Sequence, residues 1–131
     1  MTAVERILEL SREDLRAARH LLDGGFSGQA VSRAYYAAFR AAEAALLAIG
    51  ETRSKHSGVL AAFGQLVVRP GGFDESTARI LRSLFERRNE ADYLGVPGTA
   101  ETADTALADA QRFVGAVEAW VSEIRPGGGP A

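Results

Sequence analysis

The sequence predicts an all-α fold, an up-and-down antiparallel bundle of four long helices plus one short helix. Apolar residues recur at helical spacing in four long stretches, proline occurs only four times, and no run alternates long enough for a strand. The short connections between stretches favour antiparallel neighbours. The 131 residues suit a single domain over residues 2–125, followed by a disordered Gly/Pro tail over residues 126–131.

The first helix is predicted from about Ala3 to Leu22, since Thr2 and Glu5 fit a capping box at its start. The second is predicted from Ser27, as its cap, to Ile49, with Gly50 as its stop. Apolar side chains lie on more than one side of this second helix, so we expect it to be central. Its many alanines favour close helix packing over a ligand cavity.

A shorter helix is predicted around Ser57 to Val67, although Leu66–Val68 could be locally extended. Asp74 is a plausible cap for a fourth helix from about Glu75 to Tyr93 or Leu94. The last helix is predicted from about Glu101 to Ile124, because apolar residues form a continuous face along it.

Composition excludes several classes of protein. The net charge of -2 and the absence of cysteine exclude a polybasic arm, a disulfide scaffold and thiolate chemistry. With two histidines and no P-loop motif, we expect no metal site and no cofactor. No apolar run approaches the roughly 18 residues of a membrane span, and no signal peptide or anchor is visible, so we expect a cytoplasmic protein with no membrane partner.

The apolar stripe of the fourth helix turns polar before the helix ends. Ile80, Leu81, Leu84 and Phe85 define its inward face. The next positions on this face, at helical spacing beyond Leu84 and Phe85, are Arg88, Asn89 and Asp92. Because burying an unpaired charge costs several kcal/mol, these groups must meet partners.

Two interpretations of this polar segment stay open. Arg88 and Asp92 lie about 40° apart on the helix and can form a structural ion pair, completed by Tyr35 or Tyr36. Alternatively, the helix end opens into a cleft or a symmetric subunit interface, where Arg88 binds phosphate.

Three blocks of sequence support a family resemblance. They are Ser32–Leu47, which begins SRAYYAAFR, then Lys55–Val59 (KHSGV), and Glu86–Tyr93 (ERRNEADY). In this order they resemble the HEPN superfamily, and more narrowly its small stand-alone proteins. The resemblance spans roughly residues 3 to 124.

The resemblance implies a small helical bundle that commonly dimerises. Many members are RNases, and several are toxins encoded beside a minimal nucleotidyltransferase antitoxin. Their motif is an arginine, usually followed by a polar residue, with a histidine after four to six intervening residues. Arg88 and Asn89 match its start, but the histidine position falls on Tyr93. The tyrosine modified in nucleotidyltransferase-neutralised members lies two residues further, where this chain has Gly95.

Metal-independent RNA cleavage needs a base for the 2′-hydroxyl, an acid for the leaving oxygen and a cation for the phosphorane. Arg88 could supply the cation, with Asn89 and Tyr93 positioning the phosphate. A tyrosine does not titrate near neutral pH as histidine does. His56 is the remaining candidate base, reaching Arg88 from the loop before the third helix or across a dimer, although it could also be a cap or a surface group.

Further candidates for substrate contact are Arg87, Asp92, Tyr35 and Tyr36. Residues 53–93 carry a net charge of +2, a face that could meet RNA or be merely solvated.

Two functions follow. The first is a homodimeric HEPN protein that binds RNA, or cleaves it as a metal-independent RNase, in a toxin–antitoxin-like system. The alternative is a non-catalytic dimerising module that partners a minimal nucleotidyltransferase.

Overall fold

The computed structural model describes residues 1–93 and 98–124. It confirms an all-α bundle of four long helices plus one short helix. The elements are α1 (Ala3–Asp23), α2 (Ser27–Ala48), α3 (His56–Ala62) with a π-helical turn (Phe63–Val68), α4 (Glu75–Tyr93) and α5 (Ala100–Ile124). Gly95, at the position of the family's modified tyrosine, and the predicted tail over residues 126–131 lie outside the described residues.

Contacts along the helices define the antiparallel order of the bundle. On α1 and α2, Ser11 Oγ donates to the Ala37 carbonyl at 2.6 Å. Between α2 and α4, Ser32 lies beside Asp92. Arg87 reaches Asp109 from α4 to α5. Long helices that follow one another in the chain therefore run antiparallel, and α2 and α5 point the same way.

The central position predicted for α2 is confirmed. It packs on α1, α4 and α5, and alanines over most of its length are fully buried. Small side chains let the backbones of two helices approach closely. The fully buried alanines are Ala34, Ala37, Ala38, Ala41, Ala42, Ala44 and Ala45.

Most predicted helix ends hold. Thr2 and Glu5 form the capping box, Gly50 takes a positive φ of 78° at the end of α2, and Asp74 Oδ2 accepts from the Thr77 amide at 2.9 Å. The predicted cap Ser27 is wrong. Phe26 takes the cap position without a side-chain hydrogen bond, and its carbonyl accepts from the Ala30 amide at 2.9 Å.

The prediction for the third helix needs two corrections. The helix begins at His56, so this histidine is its first residue and not part of the preceding loop. Leu66–Val68, which the sequence leaves open as a local extended segment, is π-helical. Val67 of this segment is fully buried. Packing of the side chains in the core therefore overrides the local strand propensity of the segment.

Candidate functional site

Arg88 continues the buried face of α4. Ile80, Leu81 and Leu84 occupy the preceding turns of that face and pack in the core. Arg88 follows one turn later and is only 8% exposed. The polar continuation read from the sequence therefore places a guanidinium inside the bundle.

Aromatic rings surround this guanidinium. Arg88 Cζ lies 5.0 Å from the ring centroid of Tyr35, 5.7 Å from that of Tyr36 and 5.6 Å from that of Tyr93. Phe85, one turn earlier, adds a fourth ring at 5.7 Å. Such contacts favour a cation by about 0.5–2 kcal/mol each. None of these four residues accepts a hydrogen bond from Arg88.

The hydrogen bonding of Arg88 is incomplete. Its Nε is buried and has no hydrogen-bond partner within the described residues. Nη1 lies 3.9 Å from Asp92 Oδ2, beyond hydrogen-bond distance. The proposed direct pair is thus a loose electrostatic contact.

Ser32 explains why the pair is loose. Its Oγ donates to Asp92 Oδ1 at 2.6 Å. This bond engages the carboxylate from α2, while Asp92 itself lies exposed at the helix surface. Within the described residues, Arg88 therefore has one carboxylate, at 3.9 Å and shared with Ser32, and no closer ion pair.

His56 and Arg88 share the same two tyrosines. The His56 ring stacks on Phe39 with centroids 4.1 Å apart, and it lies 5.8 Å from the Tyr35 ring and 5.9 Å from the Tyr36 ring. His56 Nδ1 is 2.9 Å from the Tyr35 hydroxyl. The structure thus brings the two candidates from α3 and α4 together within one chain.

Burial governs the ionisation of Tyr35 and His56. It raises the pKa of Tyr35 well above its ordinary range, so the hydroxyl stays protonated. Burial, and then the charge of Arg88, lower the pKa of His56 below its ordinary 6.5. The imidazole is consequently neutral at pH 7.

The remaining candidates divide into two groups. Arg87 leaves the site, because its Nη2 donates to Asp109 Oδ2 at 2.8 Å and to Ser83 Oγ at 2.9 Å. Asn89 is half-buried beside Arg88, and Tyr93 is 71% exposed. Arg87 is therefore a link between α4 and α5, whereas Tyr93 contacts the guanidinium and Asn89 is its neighbour in sequence.

Sequence reasoning missed the role of two residues of α2. Ser32 engages Asp92, and Arg33 places its Cζ 5.6 Å from the Tyr36 ring while it pairs with Asp14 at 3.3 Å. Both stand about one turn before Tyr35 and Tyr36, on the same side of α2. This spacing was the sequence signal that could have placed Ser32 and Arg33 near the site.

In the described ranges, no three His, Asp or Glu side chains group in a way that could hold a metal ion. No helix there combines the length and apolar character of a membrane span.

Comparison with known proteins gives consistent matches. The family model described as "HEPN domain" matches residues 4–120. A Methanocaldococcus jannaschii protein named "Putative toxin MJ0605" is 34% identical over 92% of this chain and 90% of its own length. A Thermotoga maritima protein named "UPF0332 protein" is 35% identical over 95% of this chain and 98% of its own length.

Among solved structures, that of TT1696 from Thermus thermophilus superposes with a TM-score of 0.77 at 27% identity, covering 92% of this chain and 99% of the other. The family match includes most or all of each long helix, and both Arg88 and His56. The chain belongs to the HEPN domain family.

Proposed function

We propose that this HEPN protein binds RNA at Arg88 and cleaves it without a metal ion, with His56 in place of the missing motif histidine. The observation that carries the proposal is the buried guanidinium of Arg88, whose Nε lacks a partner within the described residues and whose neighbouring carboxylate is bonded to Ser32. A phosphate would supply the acceptors that Arg88 lacks, in the geometry that a guanidinium favours.

The proposed chemistry assigns one role to each group. Arg88 stabilises the charge of the phosphorane. His56 Nε2 takes the proton of the 2′-hydroxyl. For this, Nδ1 carries a proton and donates it to the Tyr35 hydroxyl, an arrangement compatible with their 2.9 Å separation.

In this scheme the 2′-oxygen attacks phosphorus, and the 5′-oxygen leaves with a proton from solvent. The products are a 2′,3′-cyclic phosphate end and a 5′-hydroxyl end. Asn89 and Tyr93 border the position of the phosphate and orient it. RNA as the substrate makes the cytoplasm the proposed site of action.

The decisive experiment incubates purified protein with tRNA and total cellular RNA in the presence of a chelator. The proposal requires cleavage that leaves cyclic phosphate ends and that disappears in Arg88→Gln and in His56→Gln, with both variants folded by circular dichroism. Cleavage that needs an added metal, or that survives in Arg88→Gln, would overturn it.

A second candidate function is a dimerising module that docks a nucleotidyltransferase, and exposed aromatic side chains favour it. Phe26 is 54% exposed and Tyr93 71% exposed, and both lie at the end of the bundle where Ser32 meets Asp92. Relatives named as toxins are consistent with either role.

For this second candidate we propose a homodimer formed through that end of the bundle. Light scattering over a wide concentration range tests it. A dimer that Tyr93→Ala dissociates would favour this assembly, whereas a monomer at every concentration would exclude it.

A further inference from the structure

A second basic feature lies at the opposite end of α4 from Arg88. A cleft of about 650 Å³ opens between the π-helical turn and the first half of α4, and we call it the basic cleft. Arg69, Arg79 and Arg82 line it, opposed by the carboxylate of Glu75. Its size is within the range of ligand sites.

The base of the basic cleft is apolar and fixed. Phe63 and Phe73 line it, with ring centroids 5.1 Å apart. The following turn is tied to α5, because Trp120 Nε1 donates to the Gly71 carbonyl at 2.8 Å. A Cβ on Gly71 would come within 2.3 Å of the Val67 carbonyl oxygen. The wall formed by the π-helical turn is therefore preformed, and π-helical turns are frequent at functional sites.

The arginines of the basic cleft differ from most others in their pairing. Arg12, Arg19, Arg33, Arg40, Arg53 and Arg87 each form an ion pair. Arg69 and Arg82 form no ion pair or side-chain hydrogen bond within the described residues, and both are exposed. Hydrogen bonds from Ser76 and Thr77, and then the charge of Arg79, hold the pKa of Asp74 at about 2. Two of the three cleft cations are thus available to an anion.

One row of side chains joins the basic cleft to Arg88. Arg79, Arg82, Phe85 and Arg88 follow one another at intervals of three residues, which are neighbours on a helix surface. Phe85 contacts the guanidinium of Arg88. Arg82 and Arg88 are separated by about 9 Å along the helix axis and about 120° around it, with Phe85 between them, so an extended strand that contacts both crosses α4 obliquely at Phe85.

We propose that the basic cleft is a subsite for the RNA strand, in which Arg69 and Arg82 hold backbone phosphates on one side of the phosphate at Arg88. The inference rests on the proposed function, since it concerns the same substrate. It makes the substrate an extended single strand several nucleotides long, because the two sites lie at different heights on α4. The phosphates contact the rim, and the apolar base of the cleft accommodates the less polar part of a nucleotide.

The test measures binding of 2′-O-methyl RNA, which cannot be cleaved through its 2′-oxygen. Two labelled probes are compared, a dinucleotide and an oligonucleotide of about a dozen nucleotides, each titrated over a range of salt concentrations. The variants are Arg69→Gln/Arg82→Gln and Arg88→Gln. Arg16→Gln is the matched control, because Arg16 is an exposed cation on α1 that forms no ion pair within the described residues.

We expect the double variant to weaken binding of the long probe and to flatten its plot of log affinity against log salt by about 1.4, or about 0.7 for each lost phosphate contact. Binding of the dinucleotide stays unchanged. An unaltered salt slope in the double variant, equal to that of Arg16→Gln, would overturn the subsite.

The same data separate this inference from the proposed function. If Arg88→Gln binds both probes like wild type while the double variant loses the long one, the role of Arg88 fails and the basic cleft stands as an RNA site. If Arg88→Gln loses both probes and the double variant loses neither, the subsite alone fails. If the wild type binds neither probe, both fail.

Discussion

Two buried charges, Asp14 on α1 and Arg88 on α4, are equally shielded from solvent, each at 8% exposure, but their pairing differs. Asp14 accepts from Arg40 Nε at 2.7 Å and from Arg33 Nη1 at 3.3 Å. Arg88 has a carboxylate at 3.9 Å and, within the described residues, an unpaired Nε. The first arrangement satisfies a charge within the fold, and the second leaves one unsatisfied.

The difference indicates different roles. A paired buried charge contributes to holding α1 on α2, since removing one partner leaves the other uncompensated. An underpaired buried cation lowers the stability of the free protein, and binding of an anion to it is correspondingly favourable. We therefore interpret the Asp14 cluster as structural and the surroundings of Arg88 as a binding site.

The largest expected effect is a difference in the rate of RNA cleavage between variants at Arg88 and variants in the Asp14 cluster. Arg88→Gln should lower the rate of RNA cleavage by about 100- to 1,000-fold, because one preorganised donor to the developing charge is lost. Arg40→Gln, which removes a cation of the Asp14 cluster, should leave the rate near that of wild type. Initial rates on one oligonucleotide in chelator check both. Equal losses in the two variants would break the comparison.

A second prediction concerns pH. The lowered pKa of His56 means that the base is already neutral at pH 7, so cleavage should rise with pH only below 6.5 and level off above it. The folded protein disfavours the charged imidazole. Stability should therefore also fall as the pH drops below the unfolded pKa of about 6.5. In His56→Gln, which should not cleave RNA, the acidic loss of stability should diminish. A rate that keeps rising to pH 9 would contradict His56 as the base.

The third prediction compares stability. Asp14→Asn should cost about 1–2 kcal/mol, because two hydrogen bonds to a charged group weaken while Arg33 and Arg40 retain partial access to water. Arg88→Met should change the free energy of unfolding by less than about 1 kcal/mol, or raise it, because removing an underpaired buried charge offsets the loss of its contacts with the aromatic rings. Urea denaturation measures both. A larger loss in Arg88→Met would make Arg88 structural.

The smallest expected effect comes from Ser32→Ala. Without the hydroxyl, Asp92 can turn toward Arg88 and compete with phosphate. RNA affinity should then fall by a few-fold, with little change in thermal midpoint. Binding of 2′-O-methyl RNA by fluorescence anisotropy measures it. Ser76→Ala, which changes an exposed serine bonded to Asp74, is the control.

The sequence predicted the helices well because their signals are local. The capping residues Thr2 and Asp74 and the alanine-rich α2 act within one or two turns, and helical spacing identifies buried faces directly. The π-helical turn could not be predicted, because Leu66–Val68 has strand-like side chains and its conformation depends on packing against the rest of the bundle.

The candidate site was predictable only in part. The polar break at Arg88 was visible because a buried stripe should continue apolar. The partners of Asp92 and Arg87 could not be predicted, because Ser32 lies 60 residues before Asp92 and Asp109 lies 22 residues after Arg87. Such pairings depend on how helices meet in space. This is why Arg87, chosen for its charge, turns out to link α4 to α5.

Asp92→Asn tests the central claim most directly, since the two interpretations of Arg88 predict opposite outcomes. If Arg88 is a phosphate site, removing the neighbouring negative charge should raise the affinity for 2′-O-methyl RNA by several-fold with little loss of stability. If Arg88 and Asp92 form a structural ion pair, the variant should unfold at markedly lower urea concentration and bind RNA no better. The first result is the one we predict, and the second would contradict it.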